Sequence, residues 1–320
     1  MAMGTSSAGA PPAGASPKGA SARRRRRWRW LLPAVLALAV LAAAVLFAER
    51  RDVLPAAEEC HVVTAAGEVV LDPTQASNAA VIAAVARSRN LPERAVTIAL
   101  ATALQESHLE NMEGGDRDSI GLFQQRPSQG WGTARQIADP VYTANKFFDG
   151  LVKVPGYSRL PLTEAAQTVQ KSGFPQAYAK HETDATVLAG SLTGREAESL
   201  GCTVDGAAPV AAASPRVGRD GLTGGARRIA AQVRRDFGRT VAVRAAAGGR
   251  ALELLPSGEG AAARRGGWAV AHWAVARAAD LGVASVAYGG AEWRTGGSSG
   301  AWRAGGEQAP AGRVLVTAGG

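Results

Sequence analysis

ALATALQESHLENMEGGDRDSIGLFQQR, residues 99–126, decides how the rest of the chain is read. It opens as an apolar helix and delivers one carboxylate, Glu106, with Ser107 directly after it. A polar, turn-rich loop runs from Asn111 to Asp118, and the compact run Gly121-Leu122-Phe123-Gln124 follows. An acid at the end of a buried helix, faced by a glycine-containing segment with a fixed amide, builds a cleft around one proton donor. Burial disfavours the charged form of any carboxyl, which suits an acid in such a cleft to proton donation. Spacing alone favours the plainer reading, in which Glu106 merely ends a helix at the surface.

The order Glu-Ser, about a dozen residues, then Gly-Leu-Phe-Gln resembles the lysozyme-fold soluble lytic transglycosylases over residues 60–202, with Phe123 where that family carries Met. The resemblance implies that Glu106 is the single catalytic acid and that the Gly121, Leu122 and Gln124 segment lines a sugar cleft. It also implies that Ser107 orients Glu106 or the substrate's acetamido group. The family's third signature, Ala-Tyr-Asn-Ala-Gly, has its best counterpart in Val169-Gln170-Lys171-Ser172-Gly173. There Gln170 stands for the Tyr and Lys171 for the Asn, while Tyr178 lies close by and can serve the cleft instead. The expected substrate contacts are therefore Ser107, Gly121, Leu122, Gln124, Gln170 and Tyr178, and no cofactor is implied.

Outward from this stretch, apolar residues recur at helical spacing over Asn78 to Ser88, Glu93 to Ser107, Tyr142 to Val154 and Pro175 to Ala189, with another helix beginning at Leu162. Pro92 near a first turn and Thr163 as a cap mark two of the starts. The stretch from Gly114 to Gln125 predicts a small hairpin or irregular tongue. Cys60 and Cys202 lie outside the first and last of these helical patterns, and neither sits in an apolar periodic run. Their placement predicts a disulfide clasping the ends of one domain over 58–206, two buried thiols being the other reading.

Towards the N-terminus, residues 1–22 are Ala, Gly, Ser and Pro with almost no large apolar side chains, and so predict disorder. Arg23 to Arg27 and Arg29 then abut an uncharged apolar run of 18 residues, 31–48, with Trp28 and Trp30 at its edge. That length is near the lower limit for a bilayer span, with the cations on one side. The pattern predicts a single-pass transmembrane helix at 31–48 in the cell membrane, with 1–30 cytoplasmic and the remainder outside; a cleaved signal peptide is the competing reading. Formal charge divides the same way: +8 over 1–51, −7 over 52–206 and +8 over 207–320. No basic stripe interleaves with aromatics, so nucleic acid is not an expected partner.

A Pro- and Ala-rich linker, 207–216, precedes a small α+β segment, 217–320. Helical runs at Ala226 to Phe237 and Trp268 to Leu281 alternate there with strand-like runs at Thr240 to Arg244, Ala251 to Leu254, Ala284 to Tyr288 and Arg313 to Thr317. The run Gly249-Arg250-Ala251-Leu252-Glu253 with Trp268, Trp273, Tyr288 and Trp293 resembles the carboxy-terminal domain beside some bacterial wall-lytic enzymes, itself similar to zinc D-alanyl-D-alanine carboxypeptidases. The zinc motif of that family would fall on Arg244, Ala246, Gly249, Ala251 and Glu253, with Ala246 in place of the ligand histidine. His61, His108, His181 and His272 are scattered and assemble no three- or four-ligand zinc site. The resemblance implies shape without metallopeptidase activity, and the basic charge suits an anionic wall polymer or an envelope protein as partner. Asp116 and Asp118 offer a second acid such as a two-carboxylate glycosidase needs, although their loop also reads as a solvated turn.

The expected whole is an α+β chain: a transmembrane helix, a mostly helical lysozyme-like domain, and a small C-terminal α+β domain. Its expected function is cleavage of the MurNAc–GlcNAc β-1,4 bond of peptidoglycan by a single-Glu mechanism. The alternative is a glycan-binding or scaffolding protein of the cell envelope with the same fold and no turnover.

Overall fold

The computed structural model describes residues 33, 35–42, 57–174, 176–204, 217–246, 248–297, 299–305 and 312–319. They belong to two compact units, Met1–Pro55 and Ala56–Gly320.

In the first unit a helical segment, α1, covers 35–42 with its side chains exposed. The expected membrane-spanning helix is corrected here: among the described residues no helix is long and apolar enough to cross a membrane. Residues 31, 32, 34 and 43–48 of that run, the basic tail 1–30 and the linker 207–216 lie outside the described residues. The fold class is therefore α+β without a demonstrated membrane span.

The second unit begins with a hairpin, β1 (Glu59–Thr64) and β2 (Gly67–Leu71), and β1 pairs on its other side with β3 (Leu200–Thr203). This three-stranded antiparallel sheet joins the two ends of the helical segment, where the sequence reading had placed its small β element in the tongue at 114–125. That tongue closes with a single bridge, Ile120 to Gln125. Cys60 and Cys202 stand opposite each other in the β1–β3 register and form a disulfide. With 142 residues between the partners, the loop-closure account assigns the bridge a stabilisation of about 5 kcal/mol.

Between these strands run α2 (Pro73–Ser88), α3 (Glu93–Ser107), α4 (Ala134–Ile137), α5 (Pro140–Leu151), α6 (Leu162–Gln170) and α7 (Glu182–Leu192). Helix α2 starts at Pro73 behind an Asp72–Gln75 capping box, two mutually satisfied orphan donors that fix its first turn. It is buried without interruption from Ala76 to Ala86, with small side chains all round that let neighbouring helices approach on every face. Helix α3 is likewise buried from Ala95 to Leu104 and packs mainly on α7. Phe123 from the tongue stacks on Phe147 of α5 at 4.6 Å, tying the tongue to the core.

Residues 217–319 build a six-stranded antiparallel sheet in the order β4-β5-β9-β6-β7-β8: β4 (Val241–Ala245), β5 (Ala251–Pro256), β6 (Val283–Tyr288), β7 (Ala291–Arg294), β8 (Arg303–Ala304) and β9 (Val314–Ala318). Helices α8 (Gly224–Phe237), α9 (Gly260–Ala276) and α10 (Ala278–Leu281) pack with it. Asp236 of α8 is buried, accepts from Trp273 Nε1 at 2.9 Å and pairs with Arg277 at 3.1 Å. Desolvation raises its pKa, with the Arg277 charge opposing that rise. Helix α9 begins eight residues before the expected Trp268 and runs through Gly266 and Gly267. They are needed for space: a Cβ on Gly267 would lie 1.9 Å from the Tyr288 ring.

This segment packs directly on the helical one. Trp293 Nε1 donates to the Cys202 carbonyl at 3.1 Å and Trp302 Nε1 to the Leu200 carbonyl at 2.7 Å. Ser77 of α2 bonds Asp280 of α10, and His272 of α9 bonds the Ser191 carbonyl of α7 at 2.9 Å. Two of these contacts hold β3, one holds α7 and one holds α2, and all four come from beyond residue 216.

Candidate active site

Helix α3 ends abruptly because His108 and Leu109 both adopt left-handed backbone, φ 53 and 63. Their amides return to the Leu104 and Ala103 carbonyls and satisfy the last turn. Helix α2 holds that turn from behind: Gln75 Nε2 donates to the His108 carbonyl at 2.9 Å and Asn78 Nδ2 to the Leu109 carbonyl at 2.8 Å. The last helical turn therefore presents Glu106, half-buried, at a fixed place.

Two donors converge on one oxygen of that carboxyl. Tyr178 donates its hydroxyl to Glu106 Oε1 at 2.7 Å, and Gln170 Nε2 reaches the same atom at 3.3 Å. Gln170 Nε2 also donates to the Phe123 carbonyl at 2.8 Å, while its own Oε1 is buried with no partner. Among the described residues Glu106 Oε2 has no hydrogen-bond partner, so the two oxygens differ: one is anchored and one is free. Tyr178 is fully buried. Burial, the Glu106 charge and the hydrogen bond to Glu106, in that order, hold its phenol above the usual value, so it remains a neutral donor at physiological pH.

Of the other expected contacts, Ser107 and Leu122 lie behind the carboxyl. Ser107 is 3% exposed; its hydroxyl is directed at the Leu122 carbonyl at 2.8 Å and the Ala103 carbonyl at 3.1 Å, which staples the tongue to α3. Leu122 is fully buried in the core. Gly121 is buried with φ 75 and donates to the Met112 carbonyl; a Cβ there would lie 2.7 Å from the Ile137 carbonyl, so only glycine fits. Gln124, also left-handed at φ 45, folds its amide back on the Gly121 carbonyl at 3.1 Å, with Oε1 over Gly115. Glu106, Gln170 and Tyr178 are thus brought together at one point, whereas Gly121, Leu122 and Ser107 build the scaffold beneath it and Gln124 closes the tongue. Gln75 and Asn78, which hold the turn after α3, were missed in the sequence because helical spacing marks them only as polar positions on α2.

Of the two loop aspartates, Asp118 is committed to other partners and Asp116 is exposed. Asp118 is held by Arg126 Nε at 2.6 Å and by the Ser128 amide at 2.8 Å, contacts that keep its carboxyl far below the usual range. Asp116 is exposed and its carbonyl accepts the Ser119 amide. His108 and His181 meet edge to face at 6.5 Å, and burial, with Lys180 and His108 adding to it, lowers the His181 pKa.

In the C-terminal segment Arg244 stands opposite Glu253 across the β4–β5 hairpin, Glu253 is bonded by Arg313 at 3.0 Å, and the Ala246 amide pairs with the Ala251 carbonyl. His272 is fully buried against Trp268 and Trp302 and is bonded to the Ser191 carbonyl of α7. Among the described residues no three or more of His, Cys, Asp and Glu gather as a metal site would require. Trp273 and Trp293 are core residues, while Trp268 is half-buried with its ring edge-on to Tyr288 and Trp302. No known family model matches the chain, and neither does any curated protein.

Proposed function

We propose that the protein cleaves the β-1,4 bond between MurNAc and GlcNAc in peptidoglycan glycan strands, with Glu106 as the only protein acid. The observation that carries this reading is the asymmetry of its carboxyl. Oε1 is anchored by Tyr178 and Gln170, which leaves Oε2 to meet the glycosidic oxygen. Oε2 delivers the proton as positive charge develops at the anomeric carbon, and the resulting carboxylate then takes the proton of the MurNAc 6-hydroxyl as that oxygen closes on the same carbon. The substrate's N-acetyl group stabilises the cation, which fits a site where Asp118 is committed to Arg126 and Ser128. Oriented general acid catalysis of this kind contributes ~10²–10⁴-fold. The disulfide supports an extracytoplasmic setting, where such bridges persist and where peptidoglycan lies.

The test is Glu106→Gln assayed on purified sacculi, with products read by mass spectrometry. The amide keeps size and hydrogen bonding but cannot deliver a proton, so cleavage is lost while the fold and binding remain. Anhydro-MurNAc ends identify the internal ring closure, and reducing ends identify water as the acceptor. Wild type that binds sacculi and releases neither product removes the catalytic reading and leaves a glycan-binding scaffold.

A further inference from the structure

Where residues 217–319 pack on the helical segment they leave a cavity of about 450 Å³. One wall comes from the end of α2, the start of α3 and the end of α7, and the other from α9 and the turn at Ser257 and Gly258. It lies at the Glu93 end of α3. That is about 20 Å along the helix from Glu106 at ~1.5 Å per residue, so it is a place separate from the candidate active site.

Its lining is apolar at Leu91, Val96 and Leu192, and two guanidinium residues, Arg87 and Arg265, border it. Neither has an ion pair among the described residues. Arg87 Nη2 finds only the Ser257 carbonyl, at the long distance of 3.5 Å, and Arg87 Nε is buried with no partner. Its head lies against Gly266 of α9, where a Cβ would come within 2.3 Å of Nη2, so the packing makes room for it there. Desolvation lowers the Arg87 pKa, as befits a cation left without a counter-ion. The acid of the lining, Glu93, is already taken by Arg195 Nε at 3.0 Å and Thr193 Oγ1 at 3.0 Å. The uncommitted charge of the cavity is therefore positive, and a half-buried cation without a counter-ion is unfavourable unless an anion completes it.

We propose that this seam binds a small organic anion, its carboxylate or phosphate head between Arg87 and Arg265 and its apolar body against Leu91, Val96 and Leu192. Guanidinium forks match both head groups with paired hydrogen bonds. Because the cavity exists only where the two segments meet, such a ligand also ties them together.

The experiment is calorimetric titration of the full chain with hexanoate, hexyl phosphate, acetate and inorganic phosphate. One hexanoate or one hexyl phosphate binds per chain; whichever head group binds tighter identifies the natural one. Acetate and inorganic phosphate bind at least ~10-fold more weakly, since they lack the apolar body that the lining buries. Arg265→Ala, a change at an exposed side chain, weakens binding by ~10-fold or more through loss of a charged hydrogen bond. Ala262→Trp, also on the exposed side of α9, fills the mouth and abolishes it. No saturable heat with either six-carbon anion at millimolar concentration overturns the proposal. Saturable binding that both variants leave unchanged, or inorganic phosphate binding as tightly as hexyl phosphate, overturns it as well.

Discussion

Tyr178→Phe removes the phenolic hydroxyl, and with it the hydrogen bond to Glu106, while keeping the shape of the ring. The ring stays in its buried place while the donor to Glu106 Oε1 at 2.7 Å disappears. A hydrogen bond to a charged acceptor contributes ~1.5–3 kcal/mol, and Glu106 is half-exposed, so water partly replaces the donor and the lower end applies: about 1.5 kcal/mol. Chemical denaturation should show that loss, with a melting point lower by ~3–6 °C for a domain of this size. Gln170 at 3.3 Å is then the remaining anchor. A carboxyl free to swing by ~1 Å loses up to 10²-fold in rate. The expected result is a kcat reduced by ~10–100-fold with KM near its wild-type value. In a cycle with Glu106→Ala the two changes should couple by ~1 kcal/mol.

The phenol supplies a second readout. Its proton is held more tightly in the folded chain than in the unfolded one, so the associated stability is complete below about pH 10, the unfolded value, and is lost as pH rises from there. Wild type should therefore lose ~1.4 kcal/mol per pH unit more than Tyr178→Phe in that alkaline window. Identical alkaline slopes, together with additive effects of Tyr178→Phe and Glu106→Ala, would refute the anchoring of Glu106 by Tyr178.

Reducing the Cys60–Cys202 bridge, or replacing both with Ser, should cost about 5 kcal/mol in denaturant titrations; a loss under ~1 kcal/mol shows that the β1–β3 pairing holds the ends unaided. Burial pulls the His272 pKa down to about 4. The unfolded chain therefore takes up this proton first, and stability is full above about pH 6.5 and falls as pH drops from there to about 4. The loss totals ~3 kcal/mol, and an acid denaturation profile of His272→Gln should lack it. Ser107→Ala leaves the buried Leu122 carbonyl without that donor and should cost ~1–3 kcal/mol, with protection from amide exchange falling first at Gly121 to Gln125. Asp118→Asn should lower cleavage by less than ~3-fold, since its role is to hold Arg126 and Ser128; a loss matching that of Glu106→Gln would make it the second acid.

How much of this was legible in the sequence follows the range of the interactions. The helices announce themselves through apolar residues at helical spacing and, at α3, through Pro92, whereas α2 begins five residues before the expected Asn78, behind the Asp72 box. Glu106 could be singled out because its neighbours Ser107 and Gly121 to Gln124 are close in sequence. The placement of Cys60 and Cys202 outside the first and last helical patterns also sufficed to suggest the bridge. What was not legible is pairing across long separations. Nothing local says that Glu59–Thr64 pairs with Leu200–Thr203, or that Ala291–Arg294 and Arg303–Ala304 extend the second sheet. The roles inside the site were similarly hidden: Ser107 reads as a substrate contact by position but is spent on the Leu122 carbonyl, a choice made by the fold of the tongue.

The same turn of α2 ties the two segments to the site. Gln75 and Asn78 fix the left-handed turn that ends α3, and Ser77 between them bonds Asp280 of α10. Side chains at 75 and 78 lie three apart and share one face of the helix, while 77 points elsewhere. A single helical turn thus grips the end of the Glu106 helix on one side and residues 217–319 on the other. The C-terminal segment is in this way part of the support of the candidate site: its sheet carries α9 and α10, these hold α2 and α7, and α2 holds the turn that sets Glu106. That arrangement gives the segment a physical role for which no metal ligand or reactive group of its own is needed.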